Sequence, residues 1–169
     1  MGINNSRPIN VSDWWGAETY MQYWITLNRA VKADLAKCQV GHPVFVRCTA
    51  AVAECVETMK DHLAEMIYYV NGWLAASVCR VYALGGQAQG HVVTSLEYDS
   101  GCAALLACAL DHTQPQIDLI ILGSKGAMYH RNLIQPLRDG LLRPKVIDNL
   151  QQIMVAIDQS LATGQPVNL

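Results

Sequence analysis

The hydrophobic positions of the chain change their period twice, from helical spacing to strand spacing and back. Apolar residues recur every three or four positions over residues 13–38, 49–72 and 143–164, which is typical of amphipathic helices. Over residues 73–134 apolar and polar residues alternate in several short runs, and a period of two is typical of β-strands. Helices followed by a sheet and a last helix predict an α+β fold.

Five strands are expected in the central block, and short turns join several of them. The strands are residues 76–86, 90–98, 102–110, 117–123 and 127–134. Connections this short join antiparallel neighbours, because a parallel pair needs a crossover of about a dozen residues or more. The spacing therefore predicts an antiparallel meander that forms a mostly antiparallel open sheet, with helices packed on one face. The apolar run at 44–46 is expected to be a further short strand or an extended link.

One expected strand has no polar face. Residues 102–110 read CAALLACAL, and neighbouring side chains on a strand point to opposite faces of the sheet. Helices can cover one face. Each large apolar side chain left in water on the other face would lose about 1.5–3 kcal/mol of burial free energy. We therefore expect a second copy of the sheet to cover it in a homodimer. Two alternatives stay open: another domain or protein covers this face, or residues 102–110 form a helix.

Length and composition favour one structural domain. A chain of 169 residues with 51% hydrophobic residues is long enough to bury a single core. Residues 1–71 are expected to form a helical N-terminal segment of two long helices that packs on the sheet. Residues 72–169 are expected to form the antiparallel sheet and the C-terminal helix.

Charge and motifs exclude several classes of partner and site. The net charge is −2 and the twelve Lys and Arg residues are scattered, so the chain has no basic stripe for a nucleic acid. We expect no membrane span and no signal peptide, hence a cytoplasmic protein. The six cysteines form no CxxC pair and no cluster with His, so no metal site is predicted and the thiols are expected to be structural. A nucleophilic cysteine stays conceivable only at Cys48 or Cys79.

Several turn motifs follow one another between residues 72 and 169. Tyr98 and Gly101 lie at a turn, G-S-K-G occupies 123–126, and Gly164 and Pro166 follow the last helical run. In this order they resemble the C-terminal domain of the Gfo/Idh/MocA oxidoreductases, the glucose-fructose oxidoreductase and inositol dehydrogenase family. Within G-S-K-G, Lys125 is expected to belong to an exposed turn.

The resemblance implies an α+β domain whose open sheet shapes a substrate site and commonly forms the oligomer contact. Family members also carry an N-terminal Rossmann domain that binds NAD(P). The sequence has no G-x-G-x-x-G after a strand, and Arg47, Cys48 and Thr49 stand where the family's Glu-Lys-Pro would carry the catalytic lysine. We expect no cofactor to be bound by this chain alone, and NAD(P) only if a partner supplies the Rossmann domain.

Six polar residues around the expected pocket are candidates for chemistry and binding. The candidate acid–base residues are His91, Tyr82 and His130, and the candidate substrate-binding residues are Gln87, Arg131 and Tyr129. Arg131 could hold a carboxylate by a bidentate contact. For His91 and His130 the alternative is a solvated position on an exposed strand.

Together these features predict a substrate-binding and oligomerisation domain related to the NAD(P)-dependent Gfo/Idh/MocA oxidoreductases, without its own dinucleotide-binding domain. Such a chain would not be a self-sufficient dehydrogenase. It would form a homodimer through the sheet face and could take a small-molecule ligand. Two other functions stay open, a cofactor-free small-molecule enzyme that uses the retained pocket and a non-catalytic scaffold or regulatory dimer.

Overall fold

A seven-stranded sheet and three α-helices make up the described part of the chain, residues 15–52, 56–110, 116–133 and 149–169 of a computed structural model. The helices are α1 (Trp15–Ala36), α2 (Val56–Leu74) and α3 (Leu150–Thr163), and a short 3₁₀ helix spans Gln87–Gln89. The strands are β1 (Pro43–Val52), β2 (Val78–Gly86), β3 (His91–Tyr98), β4 (Ala103–Leu110), β5 (Gln116–Gly123), β6 (Ala127–Leu133) and β7 (Val167–Asn168). The predicted α+β fold is confirmed.

Strand β1 lies in the middle of the sheet, whose order is β6-β5-β1-β4-β3-β2-β7. It pairs with β4 in parallel, whereas the other pairs of the described strands are antiparallel. The sheet is mostly antiparallel as predicted, but the expected meander is wrong because β1 separates β4 from β5. The strand expected at 44–46 is also longer, since residues 49–52, assigned to the next helix from its apolar spacing, continue β1. Pairing with a neighbour on each side outweighs the helix propensity of alanine here.

The helices pack on one side of the sheet. Helix α2 contacts β1 and β4, α3 contacts β2, and α1 packs against α2. Apolar side chains of α2, including Leu63, Met66 and Ile67, are buried in this layer. Because CAALLACAL forms β4, the predicted strand is confirmed and the helical alternative for residues 102–110 is wrong.

The G-S-K-G turn between β5 and β6 is fixed to the loop that precedes β1. The Ser124 N–H donates to the His42 carbonyl at 2.9 Å, and the Lys125 N–H donates to the Val40 carbonyl at 3.0 Å. A Cβ atom at Gly123 would collide with the backbone carbonyls of Val40 and His42. The close approach of two backbones explains this glycine, and Lys125 lies on an exposed turn.

A buried hydroxyl joins the end of α3 to β2. Ser160, which is fully buried, accepts a hydrogen bond from the Ala83 N–H at 2.9 Å and donates one to the Gln165 carbonyl at 2.7 Å. Thr94 on β3 is equally buried, but its Oγ1 has no hydrogen-bond partner. Of these two buried hydroxyls, that of Ser160 is hydrogen-bonded and that of Thr94 is not.

We expect opposite effects from removing these two hydroxyls. Ser160→Ala leaves the buried Ala83 N–H without a partner and should lower the free energy of unfolding by about 1–3 kcal/mol. Thr94→Val replaces an unpaired hydroxyl by a methyl group and should leave that free energy unchanged or raise it by up to about 1 kcal/mol. Urea unfolding followed by circular dichroism measures both, and equal losses would contradict the assignment.

Two ionisable side chains on α2 are held towards their neutral forms. Burial, with the charge of Asp61 as the smaller cause, raises the pKa of Glu65 to about 7. Burial lowers the pKa of His62 to about 4. When folding raises the pKa of an acid, the folded protein loses stability as the pH rises through the raised pKa. When folding lowers the pKa of a base, the folded protein loses stability as the pH falls through the lowered pKa.

We expect Glu65→Gln to change how stability depends on pH. The neutral amide avoids the cost of ionising a buried carboxyl, a cost that develops between the ordinary pKa of 4.5 and the folded value of about 7. The variant should therefore melt at a higher temperature than the wild type near about pH 8 and gain nothing near about pH 4. Thermal melts at both pH values test this; an equal shift at the two would contradict it.

Candidate functional site

The sheet has one face covered by the helices and one that no described helix or strand covers. Along β4 and β5 the side chains alternate between buried and partly exposed positions, because successive residues of a strand point to opposite faces. Leu106 and Leu119 belong to the covered face and are fully buried. The opposite face, which carries Leu105 and Ile120, is called the open face below.

The strand register arranges the open face in four rows across six strands, written here from β6 to β2. The first row contains Ala127, Leu122, Phe45, Ala103, Glu97 and Arg80; the second contains Tyr129, Ile120, Arg47, Leu105, Ser95 and Tyr82. The third row contains Arg131, Asp118, Thr49, Ala107, Val93 and Leu84; the fourth, from β5 to β2, contains Gln116, Ala51, Ala109, His91 and Gly86.

The centre of the open face is apolar and close to water. Phe45, Leu105 and Ile120 are only partly buried, although they lie on the three central strands. Towards the edges the exposure increases, with Leu122 at 38%, Leu84 at 50% and Tyr129 at 71%. A surface of this kind is typical of a contact with another molecule.

Two ion pairs interrupt the open face, one at its centre, where Arg47 lies between Ile120 and Leu105, and one towards β2. Arg47 lies 3.6 Å from Asp118, and Arg131 is the direct cross-strand neighbour of the same aspartate. On the other side Arg80 lies 3.4 Å from Glu97. Arg131, exposed on the outermost strand of the β6 side, forms no ion pair with the described residues and can take an additional anionic group.

The structure distributes the predicted acid–base residues over two faces. Tyr82 and His91 lie on the open face, four residues apart in register, which separates them by ~13 Å along the strands. His130 pairs with Leu119 and therefore belongs to the covered face, where burial lowers its pKa below the ordinary value. Within one chain these three side chains therefore do not lie close together.

The predicted substrate-binding residues are also divided. Tyr129 and Arg131 lie together on the open face at β6, whereas Gln87 begins the 3₁₀ helix between β2 and β3. Five strand spacings separate β6 from β2, a distance of ~24 Å. Sequence reasoning missed the Arg47–Asp118 pair, because only the order of the strands places β1 beside β5.

The β2–β3 connection contains the remaining polar candidates. Gly85 and Gly86 have positive φ angles of 93° and 151°, and a Cβ atom at Gly85 would collide with the His91 carbonyl. The His91 ring lies at the exposed end of β3 and its Nδ1 is 3.1 Å from the Gln89 carbonyl. That carbonyl can only accept, so this bond leaves Nε2 as the nitrogen available for another molecule.

The thiols of Cys48 and Cys108, on the covered face, are held in their neutral form by burial. Burial is the largest cause of the raised pKa of Cys48, and the nearby charge of Asp118 raises that pKa further. Burial also raises the pKa of Cys108 to about 12. A nucleophile or metal ligand needs a thiolate, so neither cysteine is a candidate for chemistry.

Two classes of site find no support in the described ranges. Those residues contain no group of three or more His, Cys, Asp or Glu side chains that could hold a metal ion. Nor is any helix in the same ranges long and apolar enough to cross a membrane.

Comparison with known proteins gives a fold but no sequence relative. No family model matches the sequence, and no curated protein matches it. Among solved structures, the fold is similar to myo-inositol dehydrogenase from Lactobacillus casei in complex with NAD(H) and myo-inositol, with a TM-score of 0.68 and 13% identity over 89% of this chain and 60% of that one. Myo-inositol dehydrogenase from Corynebacterium glutamicum has a TM-score of 0.67 and 13% identity, over 89% of this chain and 63% of that one.

A probable dehydrogenase from Thermotoga maritima is similar to the same extent, with a TM-score of 0.65 and 13% identity over 88% of this chain and 63% of that one. The chain thus spans about three fifths of the length of the dehydrogenases it matches. The resemblance of residues 72–169 to Gfo/Idh/MocA oxidoreductases is confirmed at the level of the fold: this chain has the architecture of part of an inositol dehydrogenase-type protein.

Proposed function

We propose that this chain is a ligand-binding and oligomerisation module related to the Gfo/Idh/MocA oxidoreductases, and that it forms a homodimer through the open face. One observation carries the proposal. Phe45, Leu105 and Ile120 form the apolar centre of a sheet face that no described element covers. A second copy brings an identical apolar surface of matching size, and a two-fold axis is the common way to pair such surfaces.

The dimensions of the open face suit a stable dimer. Six strands at ~4.8 Å and about eight residues at ~3.3 Å each give a surface of ~750 Å². A standard interface buries about 800 Å² on each partner. Arg80 and Glu97 lie near the β2 side, where a polar rim is expected, and Arg47, which would be buried at the centre, keeps Asp118 as its partner at 3.6 Å.

The proposed ligand-binding groups are Arg131 and Tyr129 on β6, the outermost strand of this side, so that in the dimer a ligand would bind at the rim of the contact and not under its apolar centre. A guanidinium group beside a phenol hydroxyl suits a small polar molecule that has an anionic or hydroxyl group. The separation of His130 from His91 and Tyr82 by the sheet favours a binding role over cofactor-free acid–base catalysis. We therefore propose that His91, Tyr82 and His130 contact different molecules or groups and do not act together in catalysis.

A dinucleotide, in this proposal, is held outside these 169 residues. Dinucleotide cradles place a glycine-rich turn between a strand and a helix whose N-terminus binds the pyrophosphate. Gly85 and Gly86 instead precede a 3₁₀ helix of three residues and then β3. Hydride transfer would need another domain or chain to supply NAD(P).

The dimer is tested by one charge at the centre of the open face. We expect the wild type to sediment as a dimer and Leu105→Lys to sediment as a folded monomer, because dimerisation would bury an unpaired ammonium group. Val155→Lys is the matched control, since Val155 is 61% exposed on α3 and lies away from the sheet. A monomeric wild type, or a Leu105→Lys variant that stays dimeric, would contradict the proposal.

The absence of a dinucleotide site is tested by fluorescence. We expect NADH titrated with this chain to keep the emission intensity and wavelength of free NADH, because the chain offers no cradle for the pyrophosphate. Calorimetry with NAD and NADP gives an independent reading. Saturable binding of any of these dinucleotides would overturn this part of the proposal.

A further inference from the structure

We propose that the two-fold axis of the dimer runs across the strands, between the second and third rows of the open face. Each central strand then lies over its own copy, which runs in the opposite direction. The inference depends on the proposed homodimer and adds the geometry of its contact. It follows from the volumes and charges in the four rows.

Side-chain volume on β1 and β4 favours this axis. On β1 the open-face residues decrease in size from Phe45 in the first row to Ala51 in the fourth. Rotation about the proposed axis exchanges these rows, so that Phe45 of one copy lies over Ala51 of the other. It likewise places Leu105 over Ala107 on β4. Large residues over small ones allow two sheets to pack closely, as in the interior of a sandwich.

The charged residues point to the same axis. Across the proposed axis Glu97 lies over His91, Arg131 over Tyr129 and Arg47 over Thr49. These contacts provide a carboxylate with an imidazole, a guanidinium with an aromatic ring, and a guanidinium with a hydroxyl. Asp118 lies over Ile120, but it keeps Arg47 of its own copy at 3.6 Å. Arg80 lies over Gly86, but it keeps Glu97 of its own copy at 3.4 Å.

An axis along the strands would give a poorer match. It would exchange β1 with β4, β5 with β3 and β6 with β2 without changing the rows. The five charged residues of the face would then all lie over apolar ones: Arg47 over Leu105, Asp118 over Val93, Glu97 over Leu122, Arg131 over Leu84 and Arg80 over Ala127. Burying a charge against an apolar side chain is costly.

The twist of the sheets sets which contacts test the axis best. Packed sheets cross at about 30°, which displaces the outer strands most. His91 and Glu97 lie ~7 Å from the centre across the strands and ~10 Å along them, so the displacement there is ~6 Å, which long side chains can still bridge. His91 and Glu97, both on β3, are therefore suitable probes.

A charge introduced at His91 and its rescue distinguish the two axes. We expect His91→Glu to weaken dimerisation about tenfold, because each dimer then has two pairs of facing carboxylates. Adding Glu97→Lys should restore the dimer to within about threefold of the wild type. Gln116 would face His91 if the axis followed the strands. Combining His91→Glu with Gln116→Lys should therefore not restore dimerisation. Sedimentation equilibrium gives the dissociation constants of the folded variants.

A size exchange on β1 repeats the test without charges. Ala51→Phe places two large rings over each other and should weaken dimerisation about tenfold or more. Ala51→Phe with Phe45→Ala restores one large and one small residue in each contact and should recover the dimer. For an axis along the strands, Ala51 faces Ala109, so Phe45→Ala would recover nothing.

The outcomes separate this inference from the dimer itself. Rescue by Glu97→Lys and by Phe45→Ala supports the axis across the strands. A wild-type dimer in which His91→Glu and Ala51→Phe have no effect, or in which only Gln116→Lys rescues, overturns the axis and leaves the homodimer in place. A monomeric wild type overturns both.

Discussion

The structure depends on a sheet whose apolar side chains lie on both of its faces. Strand β4 has apolar side chains on each side, and helices α2 and α3 remove only one side from water. The free energy of burying large apolar side chains is the main favourable contribution to such a layered fold. Coverage of the open face therefore determines whether this chain is complete as a monomer or needs a second molecule, and the proposed function follows from that requirement.

The central position of β1 connects the two halves of the chain. Its parallel pairing with β4 and antiparallel pairing with β5 bring Arg47 next to Asp118, a residue 71 positions away in sequence. The same insertion forms the covered core, where Cys48 is buried among the helices. One strand thus contributes to the core on its covered face and to the candidate binding surface on its open face.

Sequence periodicity predicted the fold class, the helices and the strands β2 to β6, because their apolar spacing is strong and their turns contain Gly, Asp and Ser. It underestimated β1, because the alanines of residues 49–52 suit a helix as well as a strand, and only long-range pairing decides between them. The division of the candidate site could not be predicted for a related reason. A shift of one residue moves a side chain to the other face of a sheet, as it does for His130 beside Tyr129 and Arg131.

The central claim is that a second copy covers the open face, and side-chain solvent access measures this most directly. In one chain Tyr129 and Val155 are similarly exposed, at 71% and 61%, but only Tyr129 lies on the open face. Hydroxyl-radical footprinting at concentrations above and below the dissociation constant compares the two. We predict that Tyr129 and Leu122 become protected as the protein is concentrated while Val155 reacts at a constant rate. Equal reactivity of Tyr129 and Leu122 at all concentrations would contradict the account.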